Sequence, residues 1–241
     1  MIGYKNEKEL IKNFICIREK LLNLGERYSL SFEALYEEVK KNAVRYEYAK
    51  GGKTIHRGYY SPSSTDLVVG GCSRGRLLKN KPEVFDYEYI FDKEDKLICY
   101  RCYGEFLKSY DVEILFYEGD VVSSVVYRPR GEQKDYRIVK VTECRYEQKR
   151  PVEFYELYGL YGKFDKVGSL WFEKVSYSKF GIESLDFGDV LFERNSIVVH
   201  EKYNFNRDSD GLLTSYVPVD IYTGIPSEKA VYPISKKNRK R

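Results

Sequence analysis

"YEYIFDKEDKLICY", residues Tyr87–Tyr100, alternates aromatic side chains with other residues, breaks at an acidic bend, and resumes with paired aliphatics. A period of two is the mark of a pleated strand, and Asp at the bend supplies the backbone angles of a tight hairpin. "YNFNRDSDGLLTSY" (Tyr203–Tyr216) repeats the same order, and "LFYEGDVVSSVVY" (Leu115–Tyr127) is a third version bending at Glu118-Gly119-Asp120. These hairpins decide the fold class.

Working outward, further alternating runs give candidate strands at 85–92, 96–103, 112–117, 121–128, 136–146, 152–158, 169–177, 190–192, 197–205 and 212–222. Their spacing is uneven, which argues against a solenoid or propeller. No helix-length pattern separates them, which argues against a parallel α/β sheet. The expectation is an α+β, β-rich fold: a large antiparallel sheet running as a meander of hairpins, with partial closure open as an alternative.

Residues 1–44 read differently. Leu10, Ile11, Phe14, Ile17 (or Arg18), Leu21 and Leu22 recur at helical spacing after an Asn6–Glu9 capping pattern, with Gly25 as a stop. Ser31 is placed to cap a second helix with the stripe Phe32, Leu35, Tyr36, Val39 and Ala43. The two form a helical hairpin whose apolar faces cover the sheet. Residues 45–81 then read as a basic, Gly/Tyr-rich connection with one short strand at 67–69, residues 82–235 as the β body, and residues 236–241 as a basic disordered tail. All belong to one domain, a size that needs no disulfide or metal for stability.

The chain has 241 residues, 16% of them aromatic, with 24 Tyr. Tyrosine suits a half-exposed pleated surface, ring packed and hydroxyl wet. The net charge of +4 is unevenly spread: residues 45–81 carry +6, residues 82–235 carry −8, and the tail carries +5. A mildly acidic body thus bears a basic strip and a basic end, so overall charge does not signal nucleic-acid binding. Residues 1–9 lack the pattern of a signal peptide, no apolar run could span a bilayer, and five cysteines at irregular spacing give no disulfide framework. Those features point to the cytoplasm and away from membranes.

Catalytic patterns are sparse. Gly52-Lys53-Thr54 ends like a phosphate-binding loop, but the required glycine five residues earlier is Glu47, and Gly58, Pro62 and Gly70 prevent a following helix. Cys99-x-x-Cys102 falls in a strand, where its thiols face opposite sides, and no second pair completes a zinc site. His56 and His200 have no nucleophile in a recognisable elbow, and the acidic residues of "DVEILFYEGD" (Asp111, Glu113, Glu118, Asp120) read as the wet face of a strand. The reading is therefore not an enzyme, with no catalytic residues, no cofactor and no metal.

The hairpins Tyr87–Tyr100 and Tyr203–Tyr216 resemble the Tyr/Asp-rich hairpins of Rhs-type repeat proteins. The chain as a whole, with its helical start, its "GYYSPSSTDLVVGG" loop and its tyrosine-rich sheet, resembles bacterial immunity proteins of polymorphic toxin systems. The resemblance implies a cytoplasmic protein that neutralises a toxin domain by stoichiometric binding. Under it, Arg57, Tyr59, Tyr60, Arg74 and Arg76 are the contact candidates, since arginine and tyrosine on an irregular loop make a recognition surface. The acidic sheet, set against a basic groove of the partner, is the alternative contact. A second function class is a nucleic-acid-associated protein using residues 45–81 and the tail, disfavoured because the acidic body repels a polyanion.

Overall fold

The computed structural model describes residues 3–53, 60–69, 75–83, 85–104, 109–130, 135–160, 168–194, 196–221, 223–227 and 232–233, with side chains from residue 11 onward. Two helices lead, α1 (Gly3–Tyr28) and α2 (Phe32–Asn42). Thirteen strands follow: β1 (Arg45–Lys50), β2 (Arg76–Leu78), β3 (Tyr87–Phe91), β4 (Leu97–Gly104), β5 (Ser109–Glu118), β6 (Val121–Arg130), β7 (Asp135–Glu147), β8 (Arg150–Tyr158), β9 (Ser169–Ser178), β10 (Gly181–Leu191), β11 (Ser196–Arg207), β12 (Leu213–Val219) and β13 (Tyr232–Pro233). They form one antiparallel sheet in the order β13-β12-β11-β10-β9-β8-β7-β6-β5-β4-β3-β1-β2. From β3 to β13 every strand pairs with its neighbour in sequence, which is the expected meander. The sheet is open, with β2 and β13 at its edges.

Register makes the core. One transverse rank runs Ile90, Cys99, Ile114, Val125, Val141, Leu157, Leu170, Val190 and Ile197, each opposite the next across β3 to β11. Every member is apolar; all but Ile197 belong to the main core cluster, and Ile197, partly buried, packs against it. A one-residue slip in any pairing would turn that strand's share of the rank to the other face, so burial of the rank fixes the whole register.

The helices cover this rank. A 26-residue helix is about 39 Å long, and the four strand spacings from β7 to β11 add up to about 19 Å, so α1 can cross them all. It lies against β7, β8 and β11, and α2 lies against β5. Phe14 and Leu21 are fully buried, and the Phe14 ring meets Phe172 at 4.5 Å and Tyr155 at 6.4 Å. From α2, Phe32 stacks on Tyr136 at 3.7 Å and tilts against Tyr127 at 5.0 Å. The Tyr127 hydroxyl donates to the Tyr28 carbonyl at 2.7 Å, a second donor for a helix-end acceptor that also takes the Ser31 N–H at 3.2 Å.

Several local expectations are corrected. Helix α1 runs through Gly25 to Tyr28, and it already includes Gly3, so Asn6 does not mark its start. Burial of its stripe outweighs one glycine's cost of about 1 kcal/mol. Ser31 precedes α2 without a side-chain cap; its carbonyl instead accepts the Leu35 N–H at 2.9 Å. Residues 67–69 are part of a single wide helical turn, Thr65–Val69, rather than a strand. The basic connection contributes β1 and β2 to the sheet. Strand β10 spans eleven residues where only 190–192 were expected, because Gly181 and Gly188 disguise the alternation.

Candidate functional site

The face away from the helices carries most of the polar chemistry. On it the segment 60–69 crosses the sheet and is tied down by a buried carboxylate. Glu173 has no exposed surface, and its oxygens accept from Ser63 Oγ (2.6 Å), Ser64 N–H (2.6 Å), Thr65 N–H (3.1 Å) and Trp171 Nε1 (2.9 Å). At one end of the segment Tyr60 is buried, with its hydroxyl 2.8 Å from Thr142 Oγ1. At the other end Leu67, Val68 and Val69 pack on Leu185, Phe187 and Phe205.

A polar seam extends from Tyr60. Thr142 Oγ1 lies 2.7 Å from Ser124 Oγ, which donates to Glu113 Oε1 at 2.6 Å. Nearby, the Lys53 ammonium group donates to the Tyr100 hydroxyl at 3.2 Å and lies 4.7 Å from its ring centre. Lys140 pairs with Glu156 at 2.9 Å. Burial lowers the pKa of Lys53 against the pull of Glu113, and burial, reinforced by Glu113, pushes the Tyr100 hydroxyl well up. Glu113 is only 5% exposed, which corrects its reading as a wet strand residue. The seam is joined to the crossing segment through the Tyr60–Thr142 contact, which is lost if the segment lifts.

Beyond the crossing, the same face carries a ladder of rings. Trp171 on β9 lies 5.5 Å from Phe187 on β10; Phe187 is 5.3 Å from Tyr203 on β11, Tyr203 is 4.7 Å from Tyr216 on β12, and Tyr216 is 5.2 Å from Tyr232 on β13. Phe187 is buried, Tyr203 and Tyr216 are half-buried, and Tyr232 is 46% exposed. Cross-strand neighbours and diagonals on one face lie within reach of aromatic side chains, so alternation on five successive strands builds the ladder. Residues 169–227, which form the strands β9 to β12 of the ladder, carry nine carboxylates and five Lys or Arg, so this part of the chain is acidic overall. Glu201 accepts the Tyr203 hydroxyl beside it.

Of the sequence-derived contact candidates, Arg57, Tyr59 and Arg74 lie outside the described residues. Tyr60 is the buried anchor just described, and Arg76 is exposed on the edge strand β2 beside exposed Leu77. The structure therefore brings none of the described candidates together. The ladder was missed although its members were in view: the strand pattern gave the faces of β11 and β12, but adjacency to Trp171 and Phe187 required the full extent of β10.

His200 is on the helix side. Its Nε2 is 2.9 Å from Asp186 Oδ1, and its ring meets Phe172 edge-on at 5.6 Å. Cys99 is buried and Cys102 partly so, on opposite faces of β4, and burial raises both thiols. Among the described residues no group of three or more His, Cys, Asp or Glu is arranged to hold a metal ion, and no helix is long and apolar enough to cross a membrane. No protein-family model matches the chain, and no curated protein sequence matches it.

Proposed function

We propose that this protein is a binding module that acts by gripping a protein partner, in the manner of cytoplasmic immunity proteins that neutralise a toxin domain by stoichiometric binding. The observation that carries the reading is the ring ladder, which emerges from under the crossing segment and ends at half-exposed Tyr232 on an edge strand. Tyrosines on a rigid sheet give large contact area at little entropic cost and are favoured as anchors of protein interfaces. The acidic character of this part of the chain suits a partner with a basic surface, because opposite charge raises association rates and disfavours wrong partners. The polar seam supports the same reading, since its groups are engaged with one another and, through Tyr60, with the crossing segment.

The test is co-expression with the C-terminal domain of any large secreted protein that proves to be encoded next to this chain. The expected result is restored growth and a 1:1 complex, both lost in Tyr216→Ser/Tyr232→Ser at unchanged melting temperature. Unimpaired protection by that double variant would move the interface elsewhere. Failure of the parent chain to protect, or to form a complex, would end the proposal.

A further inference from the structure

A cleft of about 690 Å³ opens between the ends of the β7–β8 and β9–β10 hairpins, lined by Arg145, Arg150, Lys174 and Lys179 together with Glu147 and Glu153. From this cleft we infer a binding site for a phosphate-bearing ligand, independent of the ring ladder.

Register sets the charges. Arg145, Glu153, Lys174, Asp186 and Lys202 stand opposite one another across β7 to β11, a rank of alternating sign on the helix-bearing face. Arg145 takes up both carboxylates of the lining: it pairs with Glu147 and lies 3.3 Å from Glu153. With four cations against two carboxylates, the lining keeps a net excess of two positive charges. Arg150 is held in place, its guanidinium over the Tyr177 ring at 5.2 Å and one N–H on the Ser178 carbonyl at 3.4 Å, while its remaining donors are uncommitted to that contact. A positioned planar fork of donors suits phosphate, and it loses little entropy on binding. Lys174 and Lys179 are exposed and add positive charge, with the Lys179 ammonium 4.8 Å from the Phe180 ring centre, and Ser176 and the Gln148 amide add neutral donors to the lining.

The turn from β7 to β8 forms part of the rim. Gln148 and Lys149 both take left-handed angles, with φ of 49° and 65°, in a two-residue turn where Asn-Gly would be relaxed. A volume of this size admits a diphosphate or a nucleotide, within the range of small-ligand sites.

The experiment is calorimetric titration of the full chain with inorganic pyrophosphate at constant ionic strength, beside Lys174→Ala/Lys179→Ala and the charge-conserving Lys174→Arg/Lys179→Arg. The expected result is saturable 1:1 binding, weakened at least tenfold in the alanine pair, retained in the arginine pair, with all three melting alike. Vesicles containing a phosphoinositide, against phosphatidylcholine alone, identify the source: sedimentation with the former assigns a lipid headgroup, and pyrophosphate binding without it assigns a free ligand. Absence of saturable binding to either, equal binding by the alanine pair, or displacement by chloride at the same ionic strength would overturn the inference. None of these outcomes bears on toxin protection, so this site and the proposed partner surface stand or fall separately.

Discussion

The buried carboxylate of Glu173 accepts the backbone N–H of Ser64 at 2.6 Å across 109 positions of sequence. With Ser63, Thr65 and Trp171 as its other donors, Glu173 clamps the crossing segment to the sheet. Replacing it with alanine strands those donors beneath the segment. Glu173→Ala is expected to cost about 3 kcal/mol, at one to three per stranded buried group with some relief from relaxation. Urea melts measure the loss. Hydrogen exchange locates it: the Ser64 and Thr65 amides should lose protection ahead of β7. A variant with parental exchange at both amides would refute the clamp.

High pH should unfold this chain steeply. Burial pushes the hydroxyls of Tyr36, Tyr48, Tyr158 and Tyr177 up to about 12, from an ordinary value of 10.0. Between those values the unfolded chain has released protons that the folded chain still holds. Stability therefore falls as pH rises above 10 towards 12, each such tyrosine adding to the slope. Lys53 acts in the opposite sense. Its folded pKa is lowered by burial, so between that value and 10.5 the unfolded chain binds the extra proton and stability rises with pH. The tyrosines outnumber it. Tyrosinate absorbance should rise in two stages, the second coinciding with loss of circular dichroism. A single stage near pH 10 with structure intact would contradict the burial described.

Gly188 faces Phe172 and His200 across β10, and it cannot carry a side chain. A Cβ there would lie 2.2 Å from the Val199 carbonyl oxygen and 2.8 Å from Phe172 Cε1. The oxygen belongs to a paired strand and the ring is packed on Phe14 from α1, so neither can move freely. Gly188→Ala should cost about 3 kcal/mol, at the upper end of overpacking penalties. Equilibrium unfolding measures it, and near-parental stability would show that β10 and β11 are not paired in this register.

The sequence carried the meander because β3 to β12 are nearly all local hairpins, and period two together with acidic bends is a local signal. What it hid was non-local. Glu113 looks solvent-facing in its own strand, and only Ser124 on the next strand, with Thr142 and Tyr60 beyond, shows why a carboxylate can be buried there. Strand β10 was obscured by Gly188, whose lack of a side chain makes sense only beside the Phe172 ring. The crossing segment was read as a connection because Tyr60, Ser63 and Ser64 find their partners 82 to 110 residues away. Charge segregation along the chain was visible early. Its arrangement in space, a ring ladder on acidic strands and a cationic cleft, depends on strand register.

The turn from β7 to β8 offers a stabilising substitution. Gln148 and Lys149 both hold positive φ, at 49° and 65°, as the opposed pair Glu147 and Arg150 requires of the two residues between them. For a residue with a Cβ, the left-handed region costs about 1–2 kcal/mol; glycine escapes that cost but loses roughly 0.5–1 kcal/mol of extra unfolded-state freedom. Lys149→Gly should therefore raise stability by about 0.5–1 kcal/mol. Lys149→Ala keeps the strained geometry and removes only the charged stem, so it should give no gain. A gain in the glycine variant alone assigns the effect to backbone conformation. Equal gains in both would trace it to lysine repulsion from Arg145 and Arg150, and a loss in the glycine variant would show that the turn does not hold these angles in solution.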